Sequence, residues 1–150
     1  IRTLRPPGSL SAQKCSGAGL FASLARKPLT RFPDQVGLIS GPADIQYLCP
    51  IRSLLIDLNP PYFENLDLLT VCGFFQQIEL FIGHDSGLSH LAATLGVTSL
   101  LLFGPTEPGE WAPRGPHVHV RRDRDLQFSP DDLDRLAEQL VRKNPRNLVA

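Results

Sequence analysis

The sequence is poor in features that mark several classes of protein. Its three cysteines, Cys15, Cys49 and Cys72, are odd in number and form no Cys-x-x-Cys pair. This argues against a disulfide framework or a zinc ribbon and predicts reduced thiols in a cytoplasmic protein. Basic and acidic residues balance at 15 each, so no basic field indicates nucleic-acid binding.

Long apolar runs and methionine are also missing. No stretch approaches the roughly 18 consecutive apolar residues that a membrane-spanning helix needs. Because the chain contains no methionine, we expect it to be a fragment or one domain of a longer protein. The 150 residues, 42% hydrophobic and 20% charged, suffice for one globular domain with a core, predicted to span residues 1–150.

The most informative stretch is IELFIGHDSGLSHLAATLGVTSLLLFGPTEP, residues 78–108. Ile78–Ile82 and Thr98–Phe103 are apolar runs of strand length and predict two buried parallel strands. Between them, leucine and alanine recur with helical spacing, and Gly96 is placed to end the helix. Such a strand–helix–strand unit puts its polar turns at the carboxyl edge of the sheet, where open α/β sheets bind ligands.

The first of these turns is the segment His84–Gly87, in which Asp85 or Ser86 is placed to cap the next helix. Amides at the start of a helix have no intrahelical acceptor, so an anion fits there. Gly87 would let a phosphate approach the backbone, and His90, one turn further, could donate to the same anion. A second interpretation stays open here: Asp85 and Ser86 only cap the helix, and His90 is a surface histidine.

Strand and helix patterns alternate along the rest of the chain. Strands are expected at Ile1–Arg5, Val36–Ser40, Ser53–Asp57 and around Val118–Val120, and helices at Gly19–Arg26, Asn65–Phe75 and Pro130–Lys143. Pro28 is expected to end the first helix, Asn65 to cap the second and Ser129 to cap the third. The alternation predicts an α/β fold with a Rossmann-like, mostly parallel sheet and helices on both faces.

The run FIGHDSGLSHLAATLGVTSLLLFGPTEPGEWAPRG, residues 81–115, resembles the signature of family 9 glycosyltransferases, the lipopolysaccharide heptosyltransferases. The resemblance implies the C-terminal half of a GT-B glycosyltransferase, with the N-terminal acceptor domain absent from this chain. It implies that Asp85, Ser86, Gly87 and His90 hold the diphosphate and sugar of a nucleotide-sugar donor.

The resemblance extends to two further loops. PGSLSAQK, residues 7–14, is similar to the family's first phosphate loop, which implies Ser9 and Lys14 as donors to the phosphates; Leu10 departs from the family's glycine. Asp44 would take the place of the acidic residue that contacts the ribose. A solvated surface lysine and a helix N-cap are the alternatives for Lys14 and Asp44.

By the same resemblance, the activity is inverting transfer from ADP-heptose to the inner core of lipopolysaccharide, without a cofactor or a metal. The general base would lie in the absent domain, so we expect this chain to bind donor weakly without catalysing transfer. His117 and His119 alternate along a predicted edge strand and lack an evident third metal ligand. The resemblance also implies peripheral association of the full-length protein with the inner membrane.

Two other functions remain open from the sequence. Gly83–Gly87 also fits the G-x-D-x-G form of a nucleophile elbow, which would make the protein an α/β-hydrolase with Asp85 as nucleophile and His117 or His119 as base. Alternatively, the chain is a degenerate, non-catalytic fragment that only binds a nucleotide.

Overall fold

The computed structural model describes residues 3–5, 18–41 and 45–144. The strands are β1 (Thr3–Arg5), β2 (Val36–Ser40), β3 (Tyr62–Glu64), β4 (Leu80–His84), β5 (Ser99–Phe103) and β6 (Val118–Arg122). The helices are α1 (Ala18–Arg31), α2 (Ile45–Leu54), α3 (Leu68–Gln77), α4 (Gly87–Thr94), the single turn α5 (Pro108–Trp111) and α6 (Pro130–Arg142).

These strands form one six-stranded sheet in the order β3-β2-β1-β4-β5-β6, with every pair parallel. β1 lies between β2 and β4, with Thr3 opposite both Val36 and Leu80. The chain therefore builds the sheet outward first in one direction and then in the other, which is the doubly wound Rossmann order. The predicted α/β class is confirmed.

Helices cover both faces of the sheet, as predicted. β2, β4 and β5 are buried along their whole length, so alternate residues enter opposite cores. Ile82 packs with Leu24 of α1 and Leu133 of α6, whereas Phe81 packs with Phe75 of α3 on the other face. α1 and α2 share a further cluster beside β2.

Two expectations for the first half of the chain are wrong. α1 does not end at Pro28 but continues to Arg31, and this extension buries Leu29 in the core. The strand expected at Ser53–Asp57 is instead the end of α2 and the turn after it. A strand would bury alternate residues there, but Ile51 and Leu55, four residues apart, are buried, which is the helical spacing.

The start of α3 also differs from expectation. Asn65 does not cap the helix; it has a left-handed backbone with a φ of 48°. The cap is Asp67, whose carboxylate accepts a hydrogen bond from the Thr70 amide at 3.0 Å. The helix buries Val71 and Phe75, whereas Leu69 is 82% exposed.

The second half of the chain follows the prediction closely. Gly96 ends α4 with a φ of 71°, a left-handed conformation that glycine adopts without a steric cost. Ser129 caps α6 by accepting from the Asp132 amide, and Pro130 takes the first helical position. Asn144, just beyond α6, donates its side-chain amide to the Glu79 carbonyl at 2.8 Å and ties the helix end to the start of β4.

Candidate nucleotide-binding site

The reversal of strand order places a crevice at the carboxyl ends of β1 and β4. α1, the first described element after β1, packs on one face of the sheet, and α4, which follows β4, packs on the other. Ligands of doubly wound sheets bind at such a point. The β4–α4 turn is part of the described chain, whereas residues 6–17, which follow β1, lie outside it.

The predicted site residues divide between these two regions. Asp85, Ser86, Gly87 and His90 come together in the β4–α4 turn and the first turn of α4. Ser9, Lys14 and Asp44 lie outside the described residues, so their places in the site remain predictions.

His84 was expected in the turn, but it is the last residue of β4 and is completely buried. Its Nδ1 lies 3.3 Å from the Leu102 carbonyl, and its ring packs edge-on against Phe21 at 4.6 Å between centroids. Burial lowers the pKa of His84 to about 4, so the imidazole is neutral at pH 7. His84 is therefore a core residue, and these two contacts of its ring come from segments distant in the chain.

Ser86 occupies the N-cap position of α4, as predicted, with an extended backbone (φ −153°, ψ 164°). Its side chain, however, makes no capping hydrogen bond. The Ser86 Oγ lies instead 3.3 Å from the Oγ of Ser89, and the Ser89 hydroxyl donates to the His84 carbonyl. A short chain of hydroxyls thus crosses the turn from the helix back to the strand.

This arrangement leaves donors at the start of α4. The Ser89 and His90 amides donate to the Ser86 carbonyl at 3.1 and 3.3 Å. In the described part of the chain, the amides of Gly87 and Leu88 have no hydrogen-bond acceptor. Two adjacent amides at the positive end of a helix suit an anionic oxygen.

The two glycines of the turn have different surroundings. A Cβ on Gly83 would lie 2.6 Å from a ring carbon of Phe81, so packing within the protein requires glycine there. A Cβ on Gly87 would meet no atom of residues 18–41 or 45–144 within 4 Å. Packing among these residues therefore does not require Gly87, and close approach by a ligand gives a reason for glycine at this position.

Asp85 and His90 flank these amides. Asp85 is partly buried directly after β4, and its charge slightly opposes the fall in the pKa of His84. His90 is exposed and lies three residues after Gly87, so the two are neighbours on the helix surface. The turn can therefore present a carboxylate, two amides and an imidazole to one ligand.

Ser89 is the residue of this turn that sequence reasoning missed. It is 1% exposed and lies on the face of α4 that otherwise buries Ala92 and Ala93. The available signal was a serine on an apolar helix face, three residues after another serine at a predicted helix start. A buried hydroxyl needs a partner, and in this turn the nearest acceptor is the strand end.

The two histidines of β6 and its approach lie in different surroundings. His117 places its Nε2 2.8 Å from the Ala93 carbonyl. Burial, followed by nearby positive charge, lowers the pKa of His119. Neither observation pairs a histidine with Asp85, as the hydrolase interpretation would need. Among residues 18–41 and 45–144, no three His, Cys, Asp or Glu side chains are grouped so that they could hold a metal ion.

No helix in the described ranges combines the length and the apolar character needed to cross a membrane. Trp111, the last residue of the single turn α5, is 55% exposed.

Comparison with known proteins agrees with this geometry. The family model for glycosyltransferase family 9 (heptosyltransferase) matches residues 61–137, which include β3 to most of α6. The lipopolysaccharide heptosyltransferase 1 of Pseudomonas aeruginosa is 39% identical over 96 residues, covering 58% of this chain and 27% of that protein.

Solved structures share the fold. The E. coli ADP-heptose lipopolysaccharide heptosyltransferase II superposes with a TM-score of 0.85 at 19% identity, over 95% of this chain and 46% of that one. E. coli heptosyltransferase WaaC with ADP gives 0.79 at 19% identity, over 93% and 44%. This chain thus spans less than half the length of these relatives.

The family match covers β4, the β4–α4 turn, α4 and β5. It therefore includes the switch point, where β4 begins the second half of the sheet. It favours a glycosyltransferase over the α/β-hydrolase alternative. The chain belongs to glycosyltransferase family 9, the heptosyltransferase family.

Proposed function

We propose that this chain is the nucleotide-sugar-binding domain of an inverting heptosyltransferase, with residues 1–150 forming a single domain. The observation that carries the proposal is the start of α4 at the switch point, where the amides of Gly87 and Leu88 have no acceptor within the described chain. The diphosphate of the donor would accept from these amides, and the helix dipole would add to the attraction.

The proposed donor is ADP-heptose. Its support is family membership together with relatives whose names specify ADP-heptose, and structures determined with ADP. His90 would contact the diphosphate or sugar, with Asp85 beside it. Lys14 and Ser9 would donate to the phosphates from the loop after β1, and Asp44 would accept from the ribose.

The proposed acceptor is the inner core of lipopolysaccharide; the name of the Pseudomonas relative specifies lipopolysaccharide. An acceptor hydroxyl would attack the anomeric carbon from the face opposite the diphosphate. The bond from that carbon to the diphosphate oxygen breaks, and its electron pair leaves with ADP. The α4 amides and Lys14 would stabilise the negative charge that develops on the leaving group.

The acceptor and the general base are proposed to be bound and supplied by a separate acceptor domain. The share of the relatives that the chain spans, which is 46% for the E. coli heptosyltransferase II, supports this proposed division. Donor binding would then be a property of this chain, and transfer a property of the two domains together.

Calorimetric titration with ADP and then UDP tests the proposal. We expect ADP to bind more tightly than UDP, and Asp85→Ala and Lys14→Ala to weaken ADP binding. Arg121→Ala is the control, because Arg121 is exposed on the edge strand β6 and its guanidinium donates to the carbonyl of its neighbour Val120 at 2.9 Å. Equal affinity of all variants for ADP would contradict the assignment of the site.

A transfer assay addresses the non-catalytic alternative. A degenerate domain that only binds a nucleotide would bind ADP but would not support transfer from ADP-heptose when the acceptor domain is supplied on the same chain. A functional donor site would both bind ADP and support transfer in that longer chain.

A further inference from the structure

The hydroxyls of Ser86 and Ser89 each carry one proton, which fixes the direction of their hydrogen bonds. The Ser89 hydroxyl donates to the His84 carbonyl, which can only accept. Ser89 therefore has no proton left for Ser86, although its oxygen keeps lone pairs. In the 3.3 Å contact between the two Oγ atoms, Ser86 is the donor and Ser89 the acceptor.

The position that the Ser86 oxygen takes in this contact goes with the missing cap of α4. The Ser86 backbone has the extended conformation of an N-cap residue, and serine is among the preferred residues there. Its oxygen would ordinarily accept from the second or third amide of the helix, those of Leu88 and Ser89. The contact with Ser89 holds the Ser86 hydroxyl away from them.

We propose that Ser89 is a positioning residue for the donor site: it holds the Ser86 hydroxyl off the amides of α4, so that these stay available to the diphosphate. The inference rests on the proposed function for the identity of the anion. Its physical basis is competition, because an amide that is capped by its own chain is a weaker donor to a ligand.

Packing alone does not explain a serine at position 89. The side chain is 1% exposed on a helix face whose other fully buried residues are alanines. Alanine would fit in the volume of serine and has a higher helix propensity. The hydroxyl is accounted for by its two partners, the strand end and Ser86.

Replacing Ser89 with alanine removes the acceptor that holds the Ser86 hydroxyl. Ser86 can then rotate and cap the Leu88 amide. We expect Ser89→Ala to weaken ADP binding about fivefold, the factor that corresponds to a typical N-cap interaction. Because Ser89 acts through Ser86, the same substitution should have no further effect in a Ser86→Ala background.

The experiment is a double-mutant cycle on the purified chain: wild type, Ser89→Ala, Ser86→Ala and the double variant. ADP affinity is measured by calorimetry, and amide hydrogen exchange of Leu88 by NMR. Thr94→Ala is the matched control, because the Thr94 hydroxyl lies on the same helix and bonds the His90 carbonyl at 2.8 Å. The expected results are weakened ADP binding and slower Leu88 exchange in Ser89→Ala, and neither change relative to Ser86→Ala in the double variant.

An equal loss of affinity in both backgrounds would overturn the inference, since it would show a general effect of Ser89 on the fold. Unchanged Leu88 exchange in Ser89→Ala would overturn it as well. If the wild type binds no ADP, the proposed function fails, while the exchange measurement still decides whether Ser89 keeps the amide uncapped.

Discussion

His84 links the stability of the domain to pH at the scale of a single residue. It is fully buried, and burial lowers its pKa to about 4 from the ordinary 6.5. Between these values the unfolded chain binds a proton that the folded chain does not. The free energy of unfolding should therefore fall as the pH drops from 6.5 to 4, by roughly 3 kcal/mol from this residue.

The comparison that isolates this effect is His84→Phe, which cannot titrate. Urea unfolding at several pH values should show a steeper loss of stability for wild type than for the variant across this window. Parallel curves for the two proteins would show that His84 does not carry the pH dependence.

Individual site residues differ in how far the sequence could predict them. Asp85, Ser86 and Gly87 are adjacent in the chain, so any short turn after a strand brings them together. The burial of His84 depends on Phe21 and Leu102, which reach it only through the fold. No local pattern contains that information.

At the scale of the element, α3 gives a direct test of helix capping. The side-chain and backbone hydrogen bonds from Thr70 lower the pKa of Asp67, so the cap is ionised at neutral pH. We expect Asp67→Ala to lower the melting temperature at pH 7 and Asp67→Asn to lower it less, because asparagine also caps helices. The stabilisation that the ionised Asp67 cap gives to the wild type should be lost as the pH falls below 3.8.

Asn65 serves as the comparison for that measurement. Its left-handed backbone, with a φ of 48°, favours glycine, so Asn65→Gly should leave the melting temperature nearly unchanged. A larger loss from Asn65→Gly than from Asp67→Ala would assign the cap to Asn65, in contradiction to the structure.

Elements with strong local patterns could be predicted, and those that depend on tertiary burial could not. α6 has a serine cap, a proline at its first position and a regular apolar face, and it lies where the pattern placed it. The strand expected at Ser53–Asp57 contains Leu54 and Ile56, which are both exposed. Their true element, the end of α2 and its turn, is fixed by burial of Ile51 and Leu55 against α1 and β2.

At the scale of the whole molecule, the strand order determines where a ligand can bind. The alternating pattern predicted a parallel sheet, but only the structure shows that β1 and β4 are neighbours. That parallel pairing puts the carboxyl end of β1 beside the carboxyl end of β4, from which the β4–α4 turn starts. It is the geometric basis for treating two segments far apart in sequence as one proposed site.

The proposed division of labour between domains gives a prediction at this scale. The 150-residue chain should bind ADP without transferring heptose from ADP-heptose, because the acceptor and the general base are proposed to belong to another domain. A coupled assay for ADP release, with a complete heptosyltransferase as positive control, measures this. Turnover by this chain at the rate of the complete enzyme would contradict the proposal.

The most direct test of the central claim is ADP titration of Gly87→Ala together with its unfolding curve. A Cβ at position 87 meets nothing within 4 Å among the described residues, so stability should be unchanged, whereas a phosphate approaching the α4 amides would meet it. We predict a loss of ADP affinity of about tenfold or more, with no loss in Gly73→Ala, where the added Cβ also meets nothing. Wild-type affinity in Gly87→Ala would place the diphosphate away from the β4–α4 turn.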